Sequence, residues 1–223
     1  MNKFVVYAGT RNKYHAMSVA VKSLLIHNRV DRVVFLIEDD EFPEPIPDIV
    51  ECINVSKQTY FQPDGPNFAQ HWTYMSLMRL ALPVMFPEEK RALWLDVDTI
   101  VLDDISILFD IDMRKCYVAG VVEPKKTHDP FKYINTGVLV MDLEKLRDGK
   151  CGEWLDYIGR EIMRFPDQDC INLLCQGKIL ILDPVWNSCP WTAEPNDRII
   201  VHYAADREFQ KRTLFKKFEV AKL

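Results

Sequence analysis

The first forty residues alternate between short apolar runs and a stretch with helical periodicity. Residues 4–7 form an apolar run that ends at Gly9, and apolar side chains then recur at helical spacing over residues 16–25. The run at residues 32–37 is rich in β-branched and aromatic side chains, as buried strands are. A strand, a helix and a strand in this order predict a parallel sheet flanked by helices.

The same alternation continues to the end of the chain. Pro43, Pro45 and Pro47 predict a loop, and Pro83 predicts the end of a helix, because proline neither donates to a sheet nor continues a helix. Further strands are expected at residues 50–55, 91–95, 99–102, 116–122, 133–141, 179–182 and 199–203, and further helices at 71–82, 152–164 and 167–175. No internal repeat or linker interrupts the pattern, which predicts one α/β domain.

Composition excludes several classes of protein. Of the 223 residues, 48% are hydrophobic and 27% charged, which argues against a disordered or fibrous chain. The net charge of −5 argues against general binding to nucleic acid. No apolar run approaches the roughly 18 residues of a membrane span, and the six cysteines include no CxxC pair. These features predict a cytoplasmic protein with reduced thiols.

The charge is unevenly distributed along the chain. Residues 207–223 contain six Lys or Arg and two Glu, so this tail carries +4 while residues 1–206 carry −9. Aromatic residues are interleaved with the basic ones. We therefore expect a folded domain over residues 1–206 and a basic C-terminal tail over 207–223, which either packs on the domain or lies on an anionic membrane surface.

The sequence Asp96-Val97-Asp98 is the strongest local sign of chemistry. Strand side chains alternate faces, so both carboxylates project to the same side. They follow an apolar strand, and ligands of open α/β sheets bind at the carboxyl ends of strands. Two carboxylates there suit a divalent cation that bridges to phosphates. The residues alone leave open a solvated strand end with two turn-forming aspartates.

Six segments in order resemble glycosyltransferase family 8, the retaining enzymes that include glycogenin and the bacterial lipooligosaccharide galactosyltransferases. The segments are YAGTRNKY (7–14), RLALP (79–83), LWLDVDTIV (93–101), YINTGVLV (133–140), DQDCIN (167–172) and VHY (201–203). The resemblance implies the GT-A fold, a Rossmann-like nucleotide-diphospho-sugar transferase fold. It has a single domain with a mixed, mostly parallel central sheet flanked by helices.

The resemblance implies retaining transfer of a hexose from a UDP-sugar to a hydroxyl of a glycan, glycolipid or protein acceptor. It places Mn²⁺, with Mg²⁺ as the alternative ion, between Asp96, Asp98 and His202. An imidazole with two carboxylates suits Mn²⁺ better than Mg²⁺, which prefers oxygen and water. The leaving phosphate oxygen would act as the base, because no carboxylate pair for a double displacement is evident in the sequence.

The other site residues also come from the resemblance. Arg79 would reach the diphosphate or donor sugar, and Asp167 and Gln168 would contact the transferred sugar, with the Gln168 carbonyl near the reacting carbon. Further donor-binding residues are the nucleoside-binding Ala8, Thr10, Asn12 and Tyr14, with Tyr14 stacked on the base, then Val97, and the sugar-binding Asn135, Thr136 and Gly137.

Structural roles remain open for several of these side chains. Tyr14 could start the first helix against the sheet, and Arg79 could be a surface residue of a helix. Gly137 could be a strand glycine that another segment approaches closely. Asp167 follows a proline and could be a helix N-cap.

Two departures from the family pattern raise alternatives. The family usually has Gly three residues and Lys six residues after the late histidine, where this chain has Ala205 and Glu208. One alternative is therefore a catalytically weak or inactive nucleotide-sugar-binding protein. A second is a phosphatase of the haloacid dehalogenase type, although that superfamily carries its aspartate motif on the first strand.

Overall fold

A computed structural model describes residues 2–69, 73–124, 131–189 and 197–222 of the chain. The strands are β1 (Phe4–Ala8), β2 (Arg32–Ile37), β3 (Val50–Asn54), β4 (Arg91–Leu95), β5 (Thr99–Val101), β6 (Val118–Val122), β7 (Ile134–Asp142), β8 (Ile179–Ile181) and β9 (Ile200–His202). The α-helices are α1 (Tyr14–His27), α2 (Tyr74–Met85), α3 (Ser106–Asp110), α4 (Leu143–Arg147), α5 (Lys150–Arg160), α6 (Pro166–Leu174) and α7 (Thr213–Glu219).

Seven strands form the central sheet in the order β3-β2-β1-β4-β7-β6-β8. The pairs β3·β2, β2·β1, β1·β4 and β6·β8 are parallel, and β7 pairs antiparallel with both β4 and β6. The sheet is therefore mixed and mostly parallel, as the sequence implied. A separate antiparallel pair of β5 and β9 lies beyond the carboxyl end of β4.

The central strands of the sheet are buried on both faces, which explains why they are nearly continuous apolar runs. Phe4 and Val6 of β1 face a core built with α2, α4, α5 and α6. Val5 and Tyr7 of the same strand face the opposite core, which contains α1 and α3. The alternation of strand side chains thus provides both layers from one sequence run.

The C-terminal segment packs on the domain. Phe209, Phe215 and Phe218 are buried in a third cluster with residues of α1, β5 and β9. The basic side chain of Lys216 forms an ion pair with Glu219 in the same helix. The aromatic residues that a membrane-bound tail would need are therefore enclosed by the domain. Among the described residues, no helix is both long enough and apolar enough to cross a membrane.

The ends of two helices differ most from expectation. Pro83 does not end α2, which continues to Met85, because proline this close to a helix end removes a single backbone hydrogen bond. The helix expected from residue 71 begins at Tyr74, with residues 71 and 72 outside the described ones. The helix expected over residues 152–164 is α5, which starts two residues earlier and ends at Arg160.

Candidate metal and donor site

Three metal-ligating side chains meet beyond the end of β4. Asp96 directly follows β4, Asp98 precedes β5, and His202 ends β9, where it pairs with Thr99. The His202 Nε2 atom lies 3.2 Å from Asp98 Oδ1 and 3.7 Å from Asp96 Oδ2. One ligand atom from each of the three residues fits within 4.8 Å. Two carboxylates and an imidazole nitrogen form a donor set that fits a divalent cation such as Mn²⁺.

Two neighbours hold the His202 ring with its Nε2 atom toward the carboxylates. The ring's Nδ1 atom lies 2.9 Å from Asn187 Oδ1, an acceptor that favours the tautomer with its proton on Nδ1. A Cβ atom at Gly137 would lie 2.0 Å from His202 Cε1, so only glycine leaves room for the ring. Gly137 is thus a strand glycine at a close approach, and the approaching group is the histidine side chain.

Asp96 is held through the oxygen that faces away from His202. Its Oδ1 atom accepts hydrogen bonds from Trp94 Nε1 and Arg79 Nη2, both at 2.8 Å. The Arg79 guanidinium also lies over the Trp94 ring, 4.5 Å from its centre. Oδ2 therefore remains directed toward the metal position. The role of Trp94 could not be predicted from the sequence, because an aromatic residue in an apolar strand has the same pattern as any core residue.

Arg79 is buried, which excludes its role as a surface residue of α2. Besides Asp96, its guanidinium contacts Asp167 Oδ2 at 3.1 Å and donates to the Thr136 backbone carbonyl at 2.5 Å. It therefore lies between two carboxylates of the predicted site and fixes their separation. Its reach to a donor sugar or diphosphate stays a prediction.

Asp167 is a pocket residue and not the N-cap of α6. The cap position is Phe165, and Pro166 occupies the first turn before Asp167. The Asp167 side chain instead pairs with Arg79 and accepts a hydrogen bond from the Thr136 hydroxyl at 3.0 Å. The residue that reaches back to the cap is Asp169, whose Oδ2 accepts from the Phe165 backbone N–H at 2.9 Å.

Gln168 lies beside Asp167 with both ends of its amide engaged. Its Oε1 accepts from the Thr136 backbone N–H at 3.1 Å, and its Nε2 donates to the Tyr133 hydroxyl at 3.4 Å. Tyr133 in turn contacts Asp169. The side chain is thus placed by the start of β7, and its contact with a reacting carbon stays a prediction.

These groups line one cavity of about 470 Å³. Asp96, Asp98 and His202 lie on its wall together with Arg79, Asp167 and Gln168.

Asn135 lies on the same wall and bridges two neighbours. Its Nδ2 donates to Glu123 Oε2 and its Oδ1 accepts from Asn187 Nδ2, each at 2.9 Å. Glu123 was not among the predicted site residues, and only its contact with Asn135 reveals it.

The predicted nucleoside-binding residues separate into two groups. Ala8 ends β1, and the Thr10 hydroxyl donates to Asn12 Oδ1 at 2.6 Å in the exposed turn that follows. Tyr14 is 3% exposed, packs against Phe42, and uses its hydroxyl to donate to Asp39 and accept from the Glu38 backbone N–H. The domain covers the ring in this arrangement, and its stacking on a base stays a prediction.

The segment after His202 is attached to the aspartate motif. The Tyr203 backbone N–H donates to the Asp98 carbonyl at 3.0 Å, and Ala204 and Ala205 line the cavity. Ala205 has a φ of 62°, in the left-handed region that favours glycine. The backbone turn is therefore kept despite the alanine. Glu208 is exposed and paired with Lys211, away from the cavity wall.

The electrostatics of the cavity follow from burial and close charges. Burial raises the pKa of Asp98, but His202 and Lys13 outweigh this and hold that pKa below its usual value. Burial lowers the pKa of His202, but the carboxylates of Asp98 and Asp96 raise it by more. The pKa of His202 is therefore above its usual value. Burial raises the pKa of Asp167, against the opposing effect of Arg79.

Comparison with known proteins identifies the family. The family model described as "Glycosyl transferase family 8" matches residues 4–207, nearly the whole chain. The chain belongs to glycosyltransferase family 8. The family 8 assignment removes the phosphatase alternative, which the position of the aspartate motif on β4 already disfavoured.

Curated relatives of this family 8 chain are bacterial proteins. Glycosyltransferase GlyF of Streptococcus pneumoniae is 26% identical, with 92% of this chain and 56% of that protein covered. The lipopolysaccharide 1,2-glucosyltransferase of Escherichia coli is 27% identical, over 82% of this chain and 61% of the enzyme. General stress protein A of Bacillus subtilis is 28% identical over 54% of this chain and 47% of its own length. The chain therefore spans about half to three fifths of the length of these three relatives.

Solved structures show the same fold. The galactosyltransferase LgtC, in complex with donor and acceptor sugar analogs, superposes with a TM-score of 0.73 at 18% identity over 97% of this chain and 95% of that chain. GlyE of Streptococcus pneumoniae gives a TM-score of 0.74 at 19% identity, over all of this chain and 61% of its own. The fold of the family 8 chain is thus the GT-A fold that the sequence implied.

Proposed function

We propose that this family 8 chain catalyses retaining transfer of a hexose from a UDP-sugar to an acceptor hydroxyl, with Mn²⁺ bound by Asp96, Asp98 and His202. The observation that carries the proposal is the meeting of these three ligands on the wall of the cavity that also holds Arg79, Asp167 and Gln168. A dication there would supply Lewis-acid charge to the departing diphosphate. The acceptor class is a glycan, glycolipid or protein hydroxyl.

The side chains around the cation support a binding and positioning role. Arg79 keeps Asp96 and Asp167 apart and oriented through its three contacts. The Asp167 carboxylate and the Gln168 amide face the cavity from the first turn of α6, where they would orient the donor sugar. Gln168 is a neutral amide and Asp167 is paired with Arg79. Both facts favour front-face transfer, in which the leaving phosphate oxygen takes the acceptor proton.

Donor hydrolysis provides the test. The chain is incubated with Mn²⁺ and either UDP-glucose or UDP-galactose, and released UDP is measured. We expect metal-dependent release that Asp98→Asn reduces by roughly 100-fold or more, because one carboxylate ligand is lost. The matched control is Asp148→Asn, the same change at an exposed position outside the cavity, which leaves the rate unchanged. Full activity of Asp98→Asn would contradict the proposal.

A further inference from the structure

A second cavity of about 290 Å³ adjoins the cavity that holds the metal position. Tyr133 and Asp169 line both cavities, so the two share this part of their walls. The apolar side chains of Phe131, Met163 and Leu173 also line the second cavity. Phe131 is 68% exposed and Leu173 is 51% exposed, which leaves the apolar rim open to solvent. Exposed apolar surface beside a polar site is typical of a ligand-binding groove.

Arg164 and Phe165 lie on the wall of the first cavity, just before α6. The Arg164 guanidinium lies 5.4 Å from the centre of the Phe165 ring. Arg79 is already paired with Asp96 and Asp167, whereas no carboxylate in the described part of the chain lies within ion-pair distance of Arg164. The wall therefore presents an apolar ring and uncommitted guanidinium N–H donors side by side.

The loop that carries Arg164 is fixed by a buried amide. Asn67 Nδ2 donates to the carbonyls of Ile158 and Glu161 at 2.7 and 2.6 Å, and Asn67 Oδ1 accepts from the Met163 backbone N–H at 3.0 Å. Asn67 is buried, which shields these hydrogen bonds from water. Met163 lines the second cavity and Arg164 the first, so one fixed loop contributes to both walls.

The wall of the first cavity combines hydrogen-bond acceptors with the Arg164 donors. Asp169 Oδ2 accepts from the Phe165 backbone N–H at 2.9 Å, and Glu123 Oε2 accepts from Asn135 Nδ2. Both carboxylates line the cavity and have further lone pairs. A sugar hydroxyl both donates and accepts, so it can use a carboxylate and a guanidinium together. An anion only accepts, and it is repelled by the carboxylates.

The metal position and the second cavity lie at opposite ends of a chain of contacts. Arg79 joins Asp96 to Asp167. Gln168, next to Asp167, donates to the hydroxyl of Tyr133, which lines the second cavity. On the proposed function, the diphosphate lies at the Asp96 end and the transferred sugar beside Asp167 and Gln168. The acceptor therefore approaches from the side of Tyr133.

We propose that the acceptor is a glycoside with an apolar aglycone, which occupies the second cavity while its sugar ring contacts Arg164 and Phe165. The inference rests on the proposed function, because it takes the transferred sugar to lie beside Gln168. Among glycan, glycolipid and protein acceptors, it selects the class in which an apolar group adjoins a sugar, the glycolipids. Phe131 and Leu173 bind the apolar group in this account.

Binding of paired glycosides tests the inference. Dissociation constants of methyl and hexyl β-glucoside, and of methyl and hexyl β-galactoside, are measured by calorimetry with Mn²⁺ and UDP present. We expect the hexyl glycosides to bind roughly 10-fold more tightly, because the added methylene groups leave water. Leu173→Asn should reduce this advantage by roughly 3- to 10-fold. The matched control is Ile107→Asn, at an exposed aliphatic position of α3 outside both cavities, which keeps the advantage.

Arg164 is tested with the same ligands. We expect Arg164→Met to weaken the binding of methyl and hexyl glycosides alike, by roughly 3- to 10-fold, because hydrogen bonds to the sugar are lost. The matched control is Arg29→Met, at an exposed arginine before the amino end of β2, which keeps both affinities. The melting temperature and the UDP affinity of Leu173→Asn and Arg164→Met show whether the fold and the donor site are intact.

Several outcomes would overturn the inference alone. One is equal affinity of the methyl and hexyl glycosides, or a hexyl advantage that Leu173→Asn keeps. Another is wild-type glycoside affinity in Arg164→Met, or a complex with UDP and Mn²⁺ that binds none of the glycosides. Tighter binding of methyl β-glucuronide than of methyl β-glucoside would assign Arg164 to an anionic group instead. A protein that binds no UDP with Mn²⁺ would overturn the proposed function and this inference with it.

Discussion

His202 lies so close to β7 that the size of the residue at position 137 determines whether the three predicted metal ligands can meet. Replacing Gly137 by alanine would put a methyl group 2.0 Å from His202 Cε1, so the ring must move. We expect Gly137→Ala to weaken Mn²⁺ binding by roughly 10- to 100-fold and to lower the free energy of unfolding by about 1–3 kcal/mol. Mn²⁺ titration and chemical unfolding measure the two effects.

Gly152→Ala is the matched control for that substitution. Gly152 lies in α5, and a Cβ built there meets no atom within 4 Å apart from its chain neighbours and the nearby backbone of the same helix. Alanine in a helix is favoured over glycine by roughly 0.5–1 kcal/mol, so this variant gains stability and keeps its Mn²⁺ affinity. Unchanged Mn²⁺ affinity in Gly137→Ala would mean that His202 is not a ligand.

The raised pKa of His202 gives the site a pH dependence of known sign. A bound cation must displace the imidazole proton, so Mn²⁺ affinity increases as pH rises through that pKa. Without metal the sign is opposite. The attraction between the imidazolium and the carboxylates of Asp96 and Asp98 is complete below the unfolded pKa of about 6.5. It is lost as pH rises through the higher folded pKa.

Thermal unfolding between about pH 6 and pH 8.5, with and without Mn²⁺, measures both signs. The stabilisation by Mn²⁺ should grow across this range, while the His202 contribution to the metal-free protein decreases. A Mn²⁺-induced shift in melting temperature that stays constant over the range would show that His202 does not exchange a proton for the metal.

At the residue scale, the sequence predicted the site residues that lie within motifs. It missed the roles of residues that depend on contacts between distant parts of the chain. Sequence motifs contain the predicted ligands Asp96, Asp98 and His202 themselves, and these three side chains lie together in the structure. Tyr14 was predicted to stack on the base of the donor. In the structure its ring packs against Phe42, and its hydroxyl donates a hydrogen bond to Asp39; both residues lie in the loop after β2. No local pattern predicts the contact between Asn187 and His202, because only the fold places this amide beside the imidazole ring.

At the scale of elements, α7 is held by its aromatic side. Phe215 is 1% exposed and packs against Phe209 and the α1 surface. We expect Phe215→Ala to lower the free energy of unfolding by about 3 kcal/mol or more, as loss of a buried aromatic ring does. Val220→Ala, at a position that is 78% exposed, should change it by less than about 0.5 kcal/mol. Equal stability of the two variants in urea would mean that α7 does not fold onto the domain.

Periodicity located the strands better than the helix ends. The apolar run at residues 32–37 coincides with β2, since a strand buried on both faces needs only consecutive apolar residues. The predicted end of α2 was wrong. Leu80, Ala81, Leu82 and Pro83 are all buried, and the free energy of this packing outweighs the loss of the one hydrogen bond that proline removes. The short helices α3 and α4 were missed, because five residues are too few to show a helical period.

At the scale of the whole molecule, topology assembles the site from distant parts of the sequence. β1 and β4 are parallel neighbours, so the turn after β1 and the aspartate motif share one edge of the sheet. The antiparallel β7 brings Asn135, Thr136 and Gly137 to the same edge, and the β5·β9 pair brings His202. The order of the motifs indicated the GT-A fold, but the pairing of β5 with β9 as a separate sheet could not be deduced from the runs themselves.

On the proposed function, this family 8 chain binds uridine diphosphate through a cation held by Asp96, Asp98 and His202. The most direct measurement is the melting temperature with UDP, GDP, TDP and CMP, each with and without Mn²⁺. A ligand at 100 times its dissociation constant adds about 2.7 kcal/mol of stability, which such a measurement resolves. We expect UDP to stabilise the protein only when Mn²⁺ is present. No stabilisation by any of the nucleotides, or a UDP effect independent of Mn²⁺, would contradict it.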